Sequence, residues 1–182
     1  MHLQTHLMSG WCVANCLPLL APRDRLLLML AATLPDLDGL SLLFGQEAYW
    51  HYHHRLGHNV PFALLLAGVF AILATRRATV AVVTLALVHL HFLMDLYGSG
   101  TGWGIYYLWP MSSHPYTTPA AWEFYSWQNI TAAALLLAWT LAIAVRLGRT
   151  PLEAVMPRLD RQLVSWLRQH LPFARPKPVA AL

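Results

Sequence analysis

Residues 78–97 read ATVAVVTLALVHLHFLMDLY, and how this stretch is taken decides the fold. As an α-helix it extends about 30 Å at 1.5 Å per residue, the thickness of bilayer hydrocarbon. It carries no Lys, Arg, Asp or Glu before Asp95, which predicts a membrane span ending in a carboxylate. Residues 60–75 (VPFALLLAGVFAILAT) and 130–147 (ITAAALLLAWTLAIAVRL) have the same character. Two shorter apolar pieces, residues 7–20 and 26–34, are too brief to cross alone and are expected to sit in the bundle, shielded by neighbours. The expected fold is all-α: a polytopic helical membrane bundle with three full spans plus two short N-terminal apolar helices.

Composition agrees, with 57% hydrophobic and 11% charged residues. A soluble domain carries about 45–50% and about 25%. The opening MHLQTHLM has neither a basic n-region nor a small-residue cleavage site, so no removable signal peptide is expected. Cys12 and Cys16, four apart with no third or fourth cysteine, are expected to pack as small apolar groups and not as a disulfide or metal pair. The chain divides into a membrane-embedded part, residues 1–147, and a basic amphipathic tail, residues 148–182. That tail mixes Leu, Val and Trp with Arg, which suits a cytoplasmic segment lying along anionic headgroups.

Lys and Arg stay preferentially on the cytoplasmic side of short loops. Every basic residue except Arg55 falls between the two short pieces, between the first two spans or after the last. Threading those regions inside leaves residues 35–58 and 96–127 on the outer face, together with Asp36, Asp38, Glu47, Asp95 and Glu123. His51, His53, His54 and His58 precede the first span at its outer end, His89 and His91 lie near the outer end of the second, and His6 opens the first short piece. One face of the membrane therefore gathers nearly all the metal-capable groups.

Their spacing is informative. His54 and His58 are four apart, as are His91 and Asp95, so each pair shares a helix face and both members can reach one ion. A carboxylate at membrane depth costs about 2.5–3.5 kcal/mol on insertion scales and marks a functional role. His89 lies about 200° around the helix from His91, which reads as structural. Pro35 disfavours helix before it, freeing Asp36 and Asp38 in the PDLDG turn to point inward. Asp36, Asp38 and Asp95 could converge in a low-dielectric site only around cations. With His6, His54, His58 and His91 they make seven ligands, enough for two ions with positions open for water and substrate. Imidazole with carboxylate suits zinc, with manganese or iron as alternatives.

An N-terminal histidine, LPDLD, His-Arg followed by another histidine, HxxxD on an apolar helix and the outer loop GTGWGIYYLWP follow one another over roughly residues 5–115. In that order they resemble the bacterial membrane-bound, metal-dependent hydrolase family typified by the LexA-regulated YdjM-like proteins. The resemblance implies His6, Asp36, Asp38, His54, His58, His91 and Asp95 as metal ligands, with His53 competing with His54 for one place. The HxxxD helix is also distantly similar to the all-helical zinc phospholipase C and P1-nuclease group, which suggests phosphoester hydrolysis. Gly57 and Asn59 stand where family members often carry Thr and Ser.

The function expected is a metal-dependent hydrolase of the inner membrane, acting on a phosphoester or lipid-linked phosphate through a metal-activated water at the periplasmic face. Arg55 is the candidate phosphoryl clamp, with an ion pair to a nearby aspartate as its alternative. His114 and Glu123 are the candidate proton donors. Trp103, Tyr106, Tyr107, Trp109, Trp122, Tyr125 and Trp127 suit an interfacial belt or the lining of a lipid path. The expected partners are membrane lipid and a phosphoester, with no nucleic acid. A non-hydrolytic metal-binding or transport protein is the main alternative, and a bis-histidine b-type cytochrome is another.

Overall fold

The computed structural model describes residues 1–171, so Arg175 and Lys177 of the tail lie outside the described residues. The regular elements of the described residues are all helices, apart from an isolated bridge between Ile105 and Tyr116 in the long loop of residues 99–126. In order come α1 (Leu3–Cys16), α2 (Pro22–Ala31), a 3-10 helix (Leu34–Phe44), α3 (Gln46–Tyr52), α4 (Val60–Leu73), α5 (Arg77–Gly98), α6 (Trp127–Leu147) and α7 (Pro157–His170).

Two helices, α5 with 22 residues and α6 with 21, are long and apolar enough to cross a membrane. The expected span at 60–75 is shorter than its apolar run. Helix α4 has 14 residues and so extends about 21 Å, which corrects the expectation of three full spans. Its ends are fixed by specific contacts. Asn59 Oδ1 accepts from Phe62 N at 2.8 Å, capping the start. At the far end the Asp24 carboxylate accepts from Thr75 N at 2.8 Å, from Arg76 N at 3.2 Å and from the Thr75 hydroxyl, which stops the helix and turns the chain into α5. Helix α2 and the 3-10 helix are together long and apolar enough to count as one broken span, bent by 53°. Pro35 stands at that bend, where the residue before a proline leaves the α region.

Helices α4 and α5 pack antiparallel, α1 lies against α2 and α6, and α2 touches α5. The core between them holds Leu28, Ala31, Ala63, Leu66, Phe70, Leu87, Val88 and Phe92. Gly10 lets α1 approach α2, since a Cβ there would lie 2.8 Å from Ala32 Cβ and 2.9 Å from Met29 Cα. Gly148, at φ 68°, ends α6 in a left-handed cap. Helix α7 returns to it through Leu167, packed on Ala144 and Val145, and through Arg168 Nε, which donates to Val145 O at 2.9 Å. Cys12 and Cys16 are free thiols, Cys12 buried and Cys16 exposed.

This packing gives the bundle two chemically distinct ends. The turns and helix ends carrying Arg23, Arg25, Arg76, Arg77, Arg146 and Arg149 meet at one. The start of α1, the end of α2, the start of α4, the end of α5 and the start of α6 meet at the other, about 27 Å away along α5.

Candidate metal centre

Helix α5 presents His91 and Asp95 one turn apart on its buried face. His91 Nδ1 donates to Ala32 O at the end of α2 (2.8 Å), so Nε2 carries the lone pair. His58 is fixed the same way, its Nδ1 donating to Asp38 Oδ2 at 2.9 Å. The two Nε2 atoms lie 2.9 Å apart, and Asp95 Oδ2 is 2.9 Å from that of His91 and 3.2 Å from that of His58. Asp36 Oδ1 completes the group at 3.6 Å from His91 Nε2 and 3.8 Å from His58 Nε2. Two imidazole lone pairs and two carboxylates aimed at one another repel unless a cation lies among them. Donors about 2.0–2.2 Å from a tetrahedral zinc are about 3.3 Å from each other, and the separations here bracket that value. The donor set fits a divalent metal.

Asp95 divides its oxygens. Oδ2 serves the group just described, with His54 Nε2 3.9 Å away, while Oδ1 faces His6 Nε2 at 3.1 Å, Ser99 Oγ at 3.2 Å and the Met1 ammonium. His6 Nδ1 and His54 Nδ1 are buried without a hydrogen-bond partner among the described residues. Two further imidazoles therefore stand beside Asp95. Of the two adjacent histidines, His54 reaches toward Asp95 and His53 turns to Asp38 Oδ1 at 2.7 Å.

Asp38 departs from its expected place among the ligands. Its oxygens are taken by His53 Nδ1, His58 Nδ1 and Gly57 N, the last at 3.0 Å, so it orients imidazoles instead of facing the cluster. The glycine at 57 is required by close approach, since a Cβ would stand 2.1 Å from Pro35 O. Asn59 is spent on the α4 cap and on Arg55 O and Leu56 O. Arg55 makes no ion pair with an aspartate among the described residues, its alternative expectation; its guanidinium lies 4.2 Å over the Tyr106 ring and its Nη1 meets His51 Nε2 at 3.3 Å. His114 is exposed on the outer loop and packs on Tyr116, away from the centre. Glu123 is exposed and does not line the cavity of the centre; its Oε2 lies 3.1 Å from the place a Gly100 Cβ would take. His89 is structural, donating to Leu85 O and meeting Tyr107 OH at 2.9 Å.

Electrostatics sort the loop groups. Burial alone would raise Asp38, but its hydrogen bonds to His53 and His58 outweigh that and hold it well below the usual carboxylate range. Burial likewise opposes a charge on His58, and the bonds and charges of Asp38 and Asp95 overcome it, leaving His58 raised to about 9. Burial, with the neighbouring His58 charge, pushes His54 well below its ordinary value, which keeps it neutral. Without a metal, a proton on His58 and the Met1 ammonium beside Asp95 Oδ1 supply the positive charge facing the carboxylates.

The centre opens into a cavity of about 240 Å³ lined by Asp36, His53, His54 and Asp95, with Tyr49, Ser99, Trp103 and Phe124 as its other walls beside Met1. Sequence reasoning missed Tyr49 and Ser99. Ser99 lies four residues after Asp95, the same helical spacing that singled out His91.

These features define a helical membrane protein with a buried His/Asp centre at one end of its bundle. The chain belongs to the YdjM inner membrane protein family, whose sequence profile matches residues 1–165. Among curated proteins and among solved structures, no significant match was found. Family membership and the apolar helices place the protein in the inner membrane.

Proposed function

We propose that this protein is a metal-dependent phosphoester hydrolase, with zinc as the metal and two ions sharing Asp95. One observation carries the reading: His58 Nε2, His91 Nε2 and Asp95 Oδ2 converge within 3.2 Å while each imidazole is pinned through its other nitrogen. His58, His91, Asp36 and Asp95 would hold one ion, and His6 and His54 beside Asp95 would help to hold a second. Such ions would supply Lewis-acid activation of water and of a phosphoryl group.

The chain's own groups do the rest. Asp38 and Ala32 O fix the imidazole tautomers, and Tyr49, Trp103 and Phe124 wall the cavity against bulk water. Arg55, held over Tyr106, offers a planar fork to a phosphoryl oxygen. Glu123, beside Gly100, is the candidate proton donor to the leaving group. The grouping of eleven of the twelve basic residues on one side of the threading supports a centre at the periplasmic face and α7 in the cytoplasm.

A transporter is disfavoured by what lies between the two ends. Leu28, Leu66, Phe70, Leu87 and Val88 fill that space, and Thr84 is the buried polar side chain of α5 there among the described residues. The test is metal content alongside turnover of p-nitrophenyl phosphate and bis(p-nitrophenyl) phosphate, in the wild type and in His91→Ala and Asp95→Ala. About two zinc ions per chain with ester hydrolysis, both lost in the variants, is expected. Bound zinc without hydrolysis of either ester refutes the catalytic reading, and a Soret band refutes the metal assignment.

A further inference from the structure

The hairpin of the 3-10 helix and α3 carries an apolar tip that no other described residue covers. Leu43 is 81% exposed, Phe44 86% and Trp50 64%, with Leu40 and Leu42 also exposed. A contiguous apolar patch of this kind marks contact with a membrane, a partner or a ligand. Helix α5 spans about 33 Å, so its Asp95 end lies at a bilayer boundary, and the hairpin joins the bundle there through Asp38, His53 and His58. The tip is continuous with the centre. Trp50 packs on Trp103 with ring centroids 4.7 Å apart, and Trp103 lies 5.3 Å from His54. On the other side of Trp103 a second cavity of about 290 Å³, bordered by Trp50, Gly102 and Tyr106, shares His53 and His54 with the first. Apart from Arg55 this region has no lysine or arginine, so nothing here seeks an anionic surface, and the apolar side chains set what binds.

We propose that the hairpin tip from Leu40 to Trp50 dips into the outer leaflet, and that the substrate is a membrane-resident lipid phosphoester, its acyl part lying along Leu43, Phe44 and Trp50 and its phosphate passing Trp103 to the centre. The substrate class rests on the hydrolytic reading above, whereas the lipid route rests on the patch. Hydrolysis adds one water across the phosphorus–oxygen bond: hydroxyl joins phosphorus, the proton goes to the departing oxygen, and the apolar product stays in the bilayer.

The full chain is reconstituted in phosphatidylcholine vesicles containing a phosphatidic acid with a photoactivatable diazirine in its acyl chain, and adducts are mapped by mass spectrometry. Acyl adducts on residues 40–50 and on Trp103 are expected. In a Leu43→Ser, Phe44→Ser double variant those on Trp103 should fall at least fivefold, while those on the lipid face of α6 (Ile130, Leu137) persist and report correct insertion. Labelling of the tip by a water-soluble carbene alone, Trp103 adducts that survive the double variant, or cross-links between two copies at Phe44 in place of lipid adducts each overturn the route. Adducts without hydrolysis of any ester refute the enzymatic reading and leave the lipid route standing. Hydrolysis of p-nitrophenyl phosphate without adducts does the reverse.

Discussion

The two ends of the bundle both bury carboxylates, and they use them in opposite ways. At the arginine end Asp24 is met by two peptide N–H groups and a hydroxyl, and Asp160 by Thr150 N at 2.6 Å and Thr150 Oγ at 2.8 Å. Arg25 is matched there by Glu153, its Nη2 donating at 2.8 Å. Such groups are satisfied by fixed donors and hold turns together. At the other end Asp95 and Asp36 face the imidazoles of His58 and His91, and their charge is balanced by displaceable protons, on His58 and on the Met1 ammonium, instead of by fixed donors. Burial is common to both ends, and the identity of the partners separates a clasp from a binding site.

The largest effect expected from breaking this contrast is at the bridging residue. Asp95→Ala should reduce zinc content to background by elemental analysis, because both sets of imidazoles lose their shared carboxylate. Next comes Asp38→Asn, which removes an orienting group without touching the cluster. A loss of about 10–100-fold in zinc affinity is expected, at unchanged stoichiometry under saturating metal. Complete loss of zinc in Asp38→Asn would instead make Asp38 a ligand.

The pH dependence sharpens the same point. His58 is raised from about 6.5 to about 9 in the metal-free protein. A proton bound there contributes stability that is fully present below about 6.5 and is lost as pH rises through about 9. Zinc must displace that proton, so affinity measured by competition should rise about tenfold per pH unit between 7 and 9. Asp38→Asn removes one of the two carboxylates sustaining the shift and should move that rise to lower pH. A pH-independent affinity would show that His58 is not a ligand.

The smallest expected effect on the centre comes from the clasp. Asp24→Ala leaves Thr75 N and Arg76 N unpaired and should cost about 2–3 kcal/mol of stability, read as a lower thermal midpoint, with zinc stoichiometry unchanged. A parallel loss of zinc would mean that the two ends are coupled through α4 and α5.

Much of the centre was legible before the fold. Period-3.6 spacing set His91 with Asp95, the cost of a carboxylate in an apolar helix marked Asp95, and the arginine asymmetry gathered the histidines to one end. His89 read as structural from its angular offset, and it is held by Leu85 O and Tyr107. The differences from expectation come from partners that the local pattern does not name. Helix α4 is cut short by Asp24, 51 residues before Thr75. His114 sits exposed beside Tyr116, on a loop that the Ile105–Tyr116 bridge holds. Asp38 matches Asp36 in type and near-position, yet the 3-10 helix turns one toward His53 and the other toward His91.

By itself the sequence determined the membrane environment, the helical class and the pool of metal-capable side chains, because hydrophobic length, charge placement and helical periodicity are local properties of the chain. Which donors meet, which of them spend their hydrogen bonds on orienting others, and how an aromatic path reaches the centre were decided only by tertiary packing. Those outcomes depend on distances of a few ångströms between groups up to 94 residues apart, and no local preference specifies them.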